Sequence, residues 1–264
     1  AADARACDVR VDDPTVIFPL EKMDRPTLCL MASIINDYTT RRTMPSYSTP
    51  IPKLVYDFML DHMVLSSVLA RKLELADYRI ARVGQAAFYG DDNAGSEGVI
   101  TSLYRDTTRR VYHMKGSHRG KIIPQITGEA IILMNYHIKT GADGREQIET
   151  RITTYSRIDN PVIATLVKVF HPLLRSVVND KLAQGFLAVH TLGELMAVDP
   201  EQVYRQAEAV SDADKADMER NAERIVMRLR DYNKDKPPGI MIFRNCKKVQ
   251  EMFAGIQVDP NDST

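Results

Sequence analysis

Six stretches that read as β-strands follow one another with no helix between them, and this feature restricts the fold more than any other. They cover residues 78–83, 85–89, 99–105, 109–115, 126–139 and 145–158. Turn chemistry separates them: the Gly- and Asp-rich stretch 90–98, the loop 116–120, and Thr140-Gly141-Ala142-Asp143-Gly144. Parallel neighbours need a long crossover, normally a helix, so strands joined by turns alone form an antiparallel meander. Alternation then assigns faces. Ala130, Ile132, Met134, Tyr136 and Ile138 share one face of their strand. Ile148, Thr150, Ile152, Thr154 and Ile158 share one face of the next, with Glu149, Arg151, Tyr155 and Arg157 opposite. Within 99–106, the face of Ile100, Ser102 and Tyr104 is expected to pair with Tyr112 and Met114. Such alternation predicts one dry face and one wet face.

After Asn160-Pro161 the period changes. Ile163, Leu166, Val167, Phe170, Leu174, Val177, Val178, Leu182, Phe186, Val189, Leu192 and Met196 draw one wide apolar stripe at helical spacing. A sheet with one apolar face needs a cover, and this is the long helix attached to it. The predicted fold is α+β: a curved antiparallel sheet wrapped around a long C-terminal helix, with a further helical C-terminal tail. Pro172 should kink or restart that helix, and Gly185 weakens it by about 1 kcal/mol relative to Ala. Both are expected to mark where the cover opens.

This order of elements, together with the texture of "ARKLELADYRIARVGQAAFYGDDNAGSEG", "YRDTTRRVYHMKGS", "ITGEAIILMNYHI" and "NPVIATLVKVFHPLLRSVVNDKLAQGFLAV", resembles the helix-grip fold of the START and Bet v 1-like superfamily. The resemblance spans roughly residues 50–200. It implies a cavity between sheet and helix for a hydrophobic ligand such as a lipid, sterol, polyketide or quinone. Members of that superfamily include carriers and sensors without chemistry, and also cyclases and aromatases. Three units are expected: an N-terminal extension over 1–49, the START-like ligand domain over 50–200, and a helical extension over 201–264.

Within the N-terminal extension, 8–11 and 15–18 carry short β-like runs. Residues 28–38 suit a short helix or a buried strand, and periodicity does not decide between them. The three prolines within 43–52 mark a connector. Thr49 is the expected N-cap of a helix carrying Leu54, Val55, Phe58, Met59 and Leu65, with a break at Asp61-His62. Past residue 200, helices are expected over 200–210 and 211–232, and a short strand over 240–243.

Lysine plus arginine and aspartate plus glutamate both number 35, so the net charge is zero. That balance excludes a nucleic-acid binder driven by a basic face. The pairs Arg41-Arg42, Arg109-Arg110 and Lys247-Lys248 read as solvated surface. No apolar run of about 18 residues is present, so no transmembrane segment is expected; transient membrane contact and the oligomeric state stay open. Ala1 suits either an exported, periplasmic protein after signal cleavage or a cytoplasmic one. Cys7, Cys29 and Cys246 lack metal-ligand spacing; one disulfide and three free thiols are both open readings.

No cofactor or metal site is expected. The segment Gly116-Ser117-His118-Arg119-Gly120-Lys121 has the wrong spacing for a phosphate loop, and the acidic loop 91–97 lacks the calcium-loop order. No histidines pair as His-x-x-x-His and no His-Glu-x-x-His is present. The expected ligand-binding residues are Tyr104, Tyr112, Met114, Ile132, Met134, Tyr136 and Ile152 on the sheet, and Phe170, Leu174, Val178 and Phe186 on the helix. Their Met, Ile and aromatic character suits an apolar ligand. His137, Tyr136, Glu129, Arg151 and Tyr155 are the residues from which an acid–base site could be drawn. The reading leans away from enzyme activity, toward binding and carrying or sensing a hydrophobic small molecule. A polyketide cyclase or aromatase on the same fold, and an interaction protein with a filled core, are the alternatives.

Overall fold

The computed structural model of the chain describes residues 7–119, 125–141, 144, 146–169, 188–195, 199 and 202–203. The stripe at Phe170, Leu174, Val178 and Phe186, the kink at Pro172, Gly185, Met196, Cys246 and the elements expected within 204–264 lie outside the described residues.

All six expected strands form: β3 (Arg79–Arg82), β4 (Ala87–Asp91), β5 (Ser96–Arg105), β6 (Arg109–His118), β7 (Ile126–Thr140) and β8 (Glu146–Ile158). Two more, β1 (Thr40–Thr43) and β2 (Tyr47–Thr49), come from the stretch read as a connector and N-terminal extension, and both pair with β8. The result is one antiparallel sheet in the order β1-β8-β7-β6-β5-β4-β3. Short strands at an edge tolerate flanking prolines because their outer N–H groups need no ladder partner.

Register aligns four glycines across the middle of the sheet: Gly90 opposite Gly98, Gly98 opposite Gly116, and Gly116 opposite Gly128. A Cβ on Gly98 would lie 2.6 Å from the Lys115 carbonyl oxygen, and one on Gly128 would lie 2.5 Å from that of Arg157. Backbone of the neighbouring strand therefore leaves no room for a side chain at Gly98, Gly116 and Gly128.

The helices α2 (Lys53–Asp61) and α3 (Met63–Lys72) meet at His62, where the break was expected. Thr49 is not the cap; it ends β2, and its hydroxyl pairs with His190 Nδ1 at 2.9 Å. The N-cap of α2 is Pro52, and the Glu146 side chain of β8 accepts the Lys53 N–H. α4 (Pro161–Val169) starts where the period changes, with Asn160 Oδ1 accepting from Val162 N at 2.9 Å. Residues 188–195 are helical, and Leu192 packs with Ile51, Met59, Tyr136 and Ile148 on the inner face of the sheet.

The opposite face is not wet. Residues 7–38 lie across it, and Val16, Phe18, Met31, Ile34 and Ile35 close over Val111, Ile131, Leu133 and Tyr155. The undecided stretch at 28–38 is a helix, α1 (Arg25–Ile35), capped by Asp24, whose carboxylate accepts from Thr27 N at 2.9 Å. The expected β-like runs at 8–11 and 15–18 join no ladder, and Thr15 lies in a turn closed by Val16 N to Asp13 O. Cys7 and Cys29 form a disulfide that ties the start of this cover to α1. Asn36 accepts from Arg10 N and donates to Asp8 O, each at 2.8 Å. Asp12 accepts from the Tyr38 hydroxyl at 2.7 Å and pairs with Arg41 at 2.8 Å.

Among the described residues no helix is long and apolar enough to cross a membrane.

Candidate ligand-binding face

Cross-strand register builds the inner face in rows. Ile100, Met114, Ala130 and Ser156 form one; Ser102, Tyr112, Ile132 and Thr154 the next; Arg110, Met134 and Ile152 a third. Tyr136 with Thr150 and Ile138 with Ile148 complete it. Of the residues expected to line a ligand site, Tyr112, Met114, Ile132, Met134, Tyr136 and Ile152 are thus brought to one face.

Tyr104 is not among them. The register slips between Ser102 and Tyr104, which pair with Tyr112 and Val111 respectively. Two residues of β5 then oppose one step of β6, so side-chain parity reverses past the bulge. Tyr104 packs with the outer cluster instead, and its hydroxyl donates to Asp106 Oδ2 at 3.0 Å. Phe170, Leu174, Val178 and Phe186 lie outside the described residues.

The inner face has a closed end and an open end. At the closed end α2 crosses the sheet. Lys53, Asp57 and Asp61 recur at four-residue spacing and so share one side of that helix. Asp61 accepts from Arg110 Nη1 at 2.6 Å, and Asp57 accepts from the Tyr136 hydroxyl at 2.9 Å. Arg110 Nη2 lies 3.5 Å from Asp57, and its Nε donates to the Tyr136 hydroxyl at 3.4 Å. Lys53 and Arg105 flank the two carboxylates from the solvent side. Beside them the Tyr56 hydroxyl shares a 2.8 Å hydrogen bond with Thr150 Oγ1, and the Tyr56 and Tyr136 rings meet at 5.2 Å.

Arg110 was read as solvated surface. Its side chain is only 7% exposed, because alternation splits the pair: Arg109 turns outward to Asp106 and Arg110 turns inward. Parity with Tyr112 and Met114 carried that information, and charge obscured it. Burial opposes the Arg110 charge, but Asp61 and the surrounding tyrosines outweigh it and raise its pKa. Burial pushes Tyr136 up to about 12, against the pull of Arg110 and with the help of Asp57. Tyr56 and Tyr112 are also raised, chiefly by burial. These phenols stay protonated near neutral pH, and Tyr136 donates to Asp57.

At the open end, Ile100 and Ile132 are half-buried and Met114 is 39% exposed. The outward residues of β6 and β7, the strands that carry Met114 and Ile132, behave differently: Val111, Ile131 and Leu133 are 0% exposed beneath the N-terminal cover.

The acid–base candidates do not assemble. Tyr136 faces inward, whereas Glu129, His137, Arg151 and Tyr155 face outward by parity. Tyr155 is buried against Phe18 and Tyr38. His137 lies 3.7 Å from Glu149, where Lys139 also pairs. Glu129 is held among His113, Lys115 and Arg157.

No family model matches the chain, and no curated protein matches it in sequence. Solved structures with a similar fold include a conserved protein from Geobacillus kaustophilus, 11% identical, covering 59% of this chain and 95% of that one at a TM-score of 0.44. Ara h 8.0201 is 16% identical, covering 58% of this chain and 97% of that one at 0.38. The di-domain ARO/CYC BexL from the BE-7585A biosynthetic pathway is 11% identical, covering 62% of this chain and 56% of that one at 0.36.

Proposed function

We propose that the chain is a helix-grip protein that binds a hydrophobic small molecule on the inner face of its sheet, as a carrier or sensor. One observation carries the reading. Beneath the N-terminal cover, Val111, Ile131 and Leu133 have no exposure. On the inner side of the same two strands Met114 and Ile132 keep accessible surface, as does Ile100 on neighbouring β5. Apolar surface left open beside a closed core favours an apolar occupant, at about 25 cal/mol for each Å² removed from water. Exposed Met114, half-buried Ile132 and the edge of buried Tyr112 are its contact surface in this reading; Met134, Tyr136 and Ile152 form the packed floor. Phe170, Leu174, Val178 and Phe186 would supply the opposite wall.

The Cys7–Cys29 disulfide supports a further part of the reading, that the protein works in an oxidising compartment. Native mass spectrometry of protein purified without detergent tests the central claim. A low-mass organic adduct released on denaturation supports it. A bare chain that also fails to take up a neutral apolar dye, such as N-phenylnaphthylamine, contradicts it.

A further inference from the structure

We infer that the Tyr112 hydroxyl is the polar recognition group of this site, and that the molecule it recognises is neutral and apolar with one oxygen acceptor: a ketone, ester or alcohol, and not a free carboxylate. This deepens the proposed function and rests on it.

Tyr112 is 7% exposed, and its hydroxyl has no hydrogen-bond partner. Other buried tyrosines on the sheet and α2 differ: Tyr56 pairs with Thr150, Tyr136 donates to Asp57, and Tyr155 reaches Asp12 at 3.4 Å. Arg110 is close enough for its charge to act on the Tyr112 phenol. Arg110 itself bonds Asp61 and the Tyr136 hydroxyl and lies 3.5 Å from Asp57; having only donors, it cannot accept the Tyr112 O–H. A phenol buried with its donor unused is unfavourable in the free protein, and native folds keep few such groups. Its place in the fold supplies the reason to keep it. Tyr112 stands in the row with Ile132, next to the row of Met114, where the packed floor gives way to the open end.

The surroundings select the acceptor. Arg110, the cation on the floor, stands between two aspartates whose charges offset its pull on an incoming anion. The Asp57 and Asp61 carboxylates would add repulsion. A carboxylate here would lose its water for a single phenolic donor, an unfavourable exchange. A neutral carbonyl or hydroxyl oxygen needs only that one donor.

The test uses Tyr112→Phe in the full chain, with methyl decyl ketone, dodecanoate and N-phenylnaphthylamine as probes. The variant should weaken ketone binding about five- to tenfold, the usual worth of one such hydrogen bond, and leave the dye unchanged. It should also melt above the wild type, since removing an unused buried donor relieves a cost. Equal ketone affinity in both proteins, with the dye still bound, overturns the inference and leaves the ligand-site reading standing. Dodecanoate binding more tightly than the ketone overturns the neutral class. A lower melting temperature shows that the hydroxyl already had a structural role, which also overturns it. If the wild type takes up neither ketone nor dye, the site itself is refuted, and the inference with it.

Discussion

Replacing Glu129 with glutamine should destabilise the protein at neutral pH and hardly at all in acid. Glu129 lies on the outer face of β7, in register with Lys115 of β6 and Arg157 of β8. His113 Nε2 stands 3.6 Å from its carboxylate, and Arg157 also donates to the Ser33 carbonyl of α1. The cluster therefore fastens three strands to the N-terminal cover. The pull of His113, joined by that of Lys115 against the cost of burial, lowers the Glu129 pKa from 4.5 to about 2. Because the folded value is the lower one, the stabilisation is whole above about pH 4.5 and fades as pH falls toward about 2. The interval between those values, at 1.36 kcal/mol per pH unit, sets a ceiling of about 3 kcal/mol. Arg157 is 30% exposed, so solvent screens part of this, and about 1–2 kcal/mol is expected. Glutamine keeps the shape and removes the charge. Urea unfolding of both proteins at pH 7 and pH 3 measures it; the gap between them should shrink by at least half at the lower pH. An equal gap at both pH values, or none at pH 7, refutes the charge-cluster reasoning.

Three further outcomes follow from the same geometry. Ile132→Trp should fill the open end and weaken dye uptake while the fold survives, whereas Met134→Trp, beneath the Tyr56 hydroxyl at 3.8 Å, should cost about 1–3 kcal/mol by overpacking; dye titration and urea midpoints separate the two. Gly116→Ala should destabilise the sheet by at least about 1 kcal/mol in urea, because the new methyl strikes the Glu97 carbonyl across the strand pair. Cys29→Ser should lower stability by about 3 kcal/mol through the lost loop of sequence separation 22, with a readout in the thermal midpoint under non-reducing conditions.

The meander was legible because β3 to β8 follow one another with turn residues between them, and turns alone cannot join parallel strands. What alternation could not reveal was the bulge at Ser102–Tyr104. No glycine or proline marks it, and one inserted residue sends Tyr104 to the other face. The strands β1 and β2 were hidden by their length and by Pro45 and Pro50, which an edge position tolerates. Val9, Val11, Val16 and Phe18 alternate like a strand, yet they bury their side chains without a ladder, which pattern cannot distinguish. The glycine row at 90, 98, 116 and 128 becomes visible only once register is known. The polar floor was missed for a different reason: Arg110 read as solvated surface, Asp61 read only as a helix break, and Asp57 carried no signal of its own. Their meaning comes from α2 crossing β6, a long-range contact that no local signal encodes.

The most direct measurement of the ligand-face account is side-chain methyl NMR during titration with methyl decyl ketone. The account predicts that resonances of Ile100, Met114 and Ile132 shift and saturate together. Val111, Ile131 and Leu133, on the outer face of the same sheet, should stay in place. No shifts at saturating ketone, or shifts confined to the outer set, would contradict it.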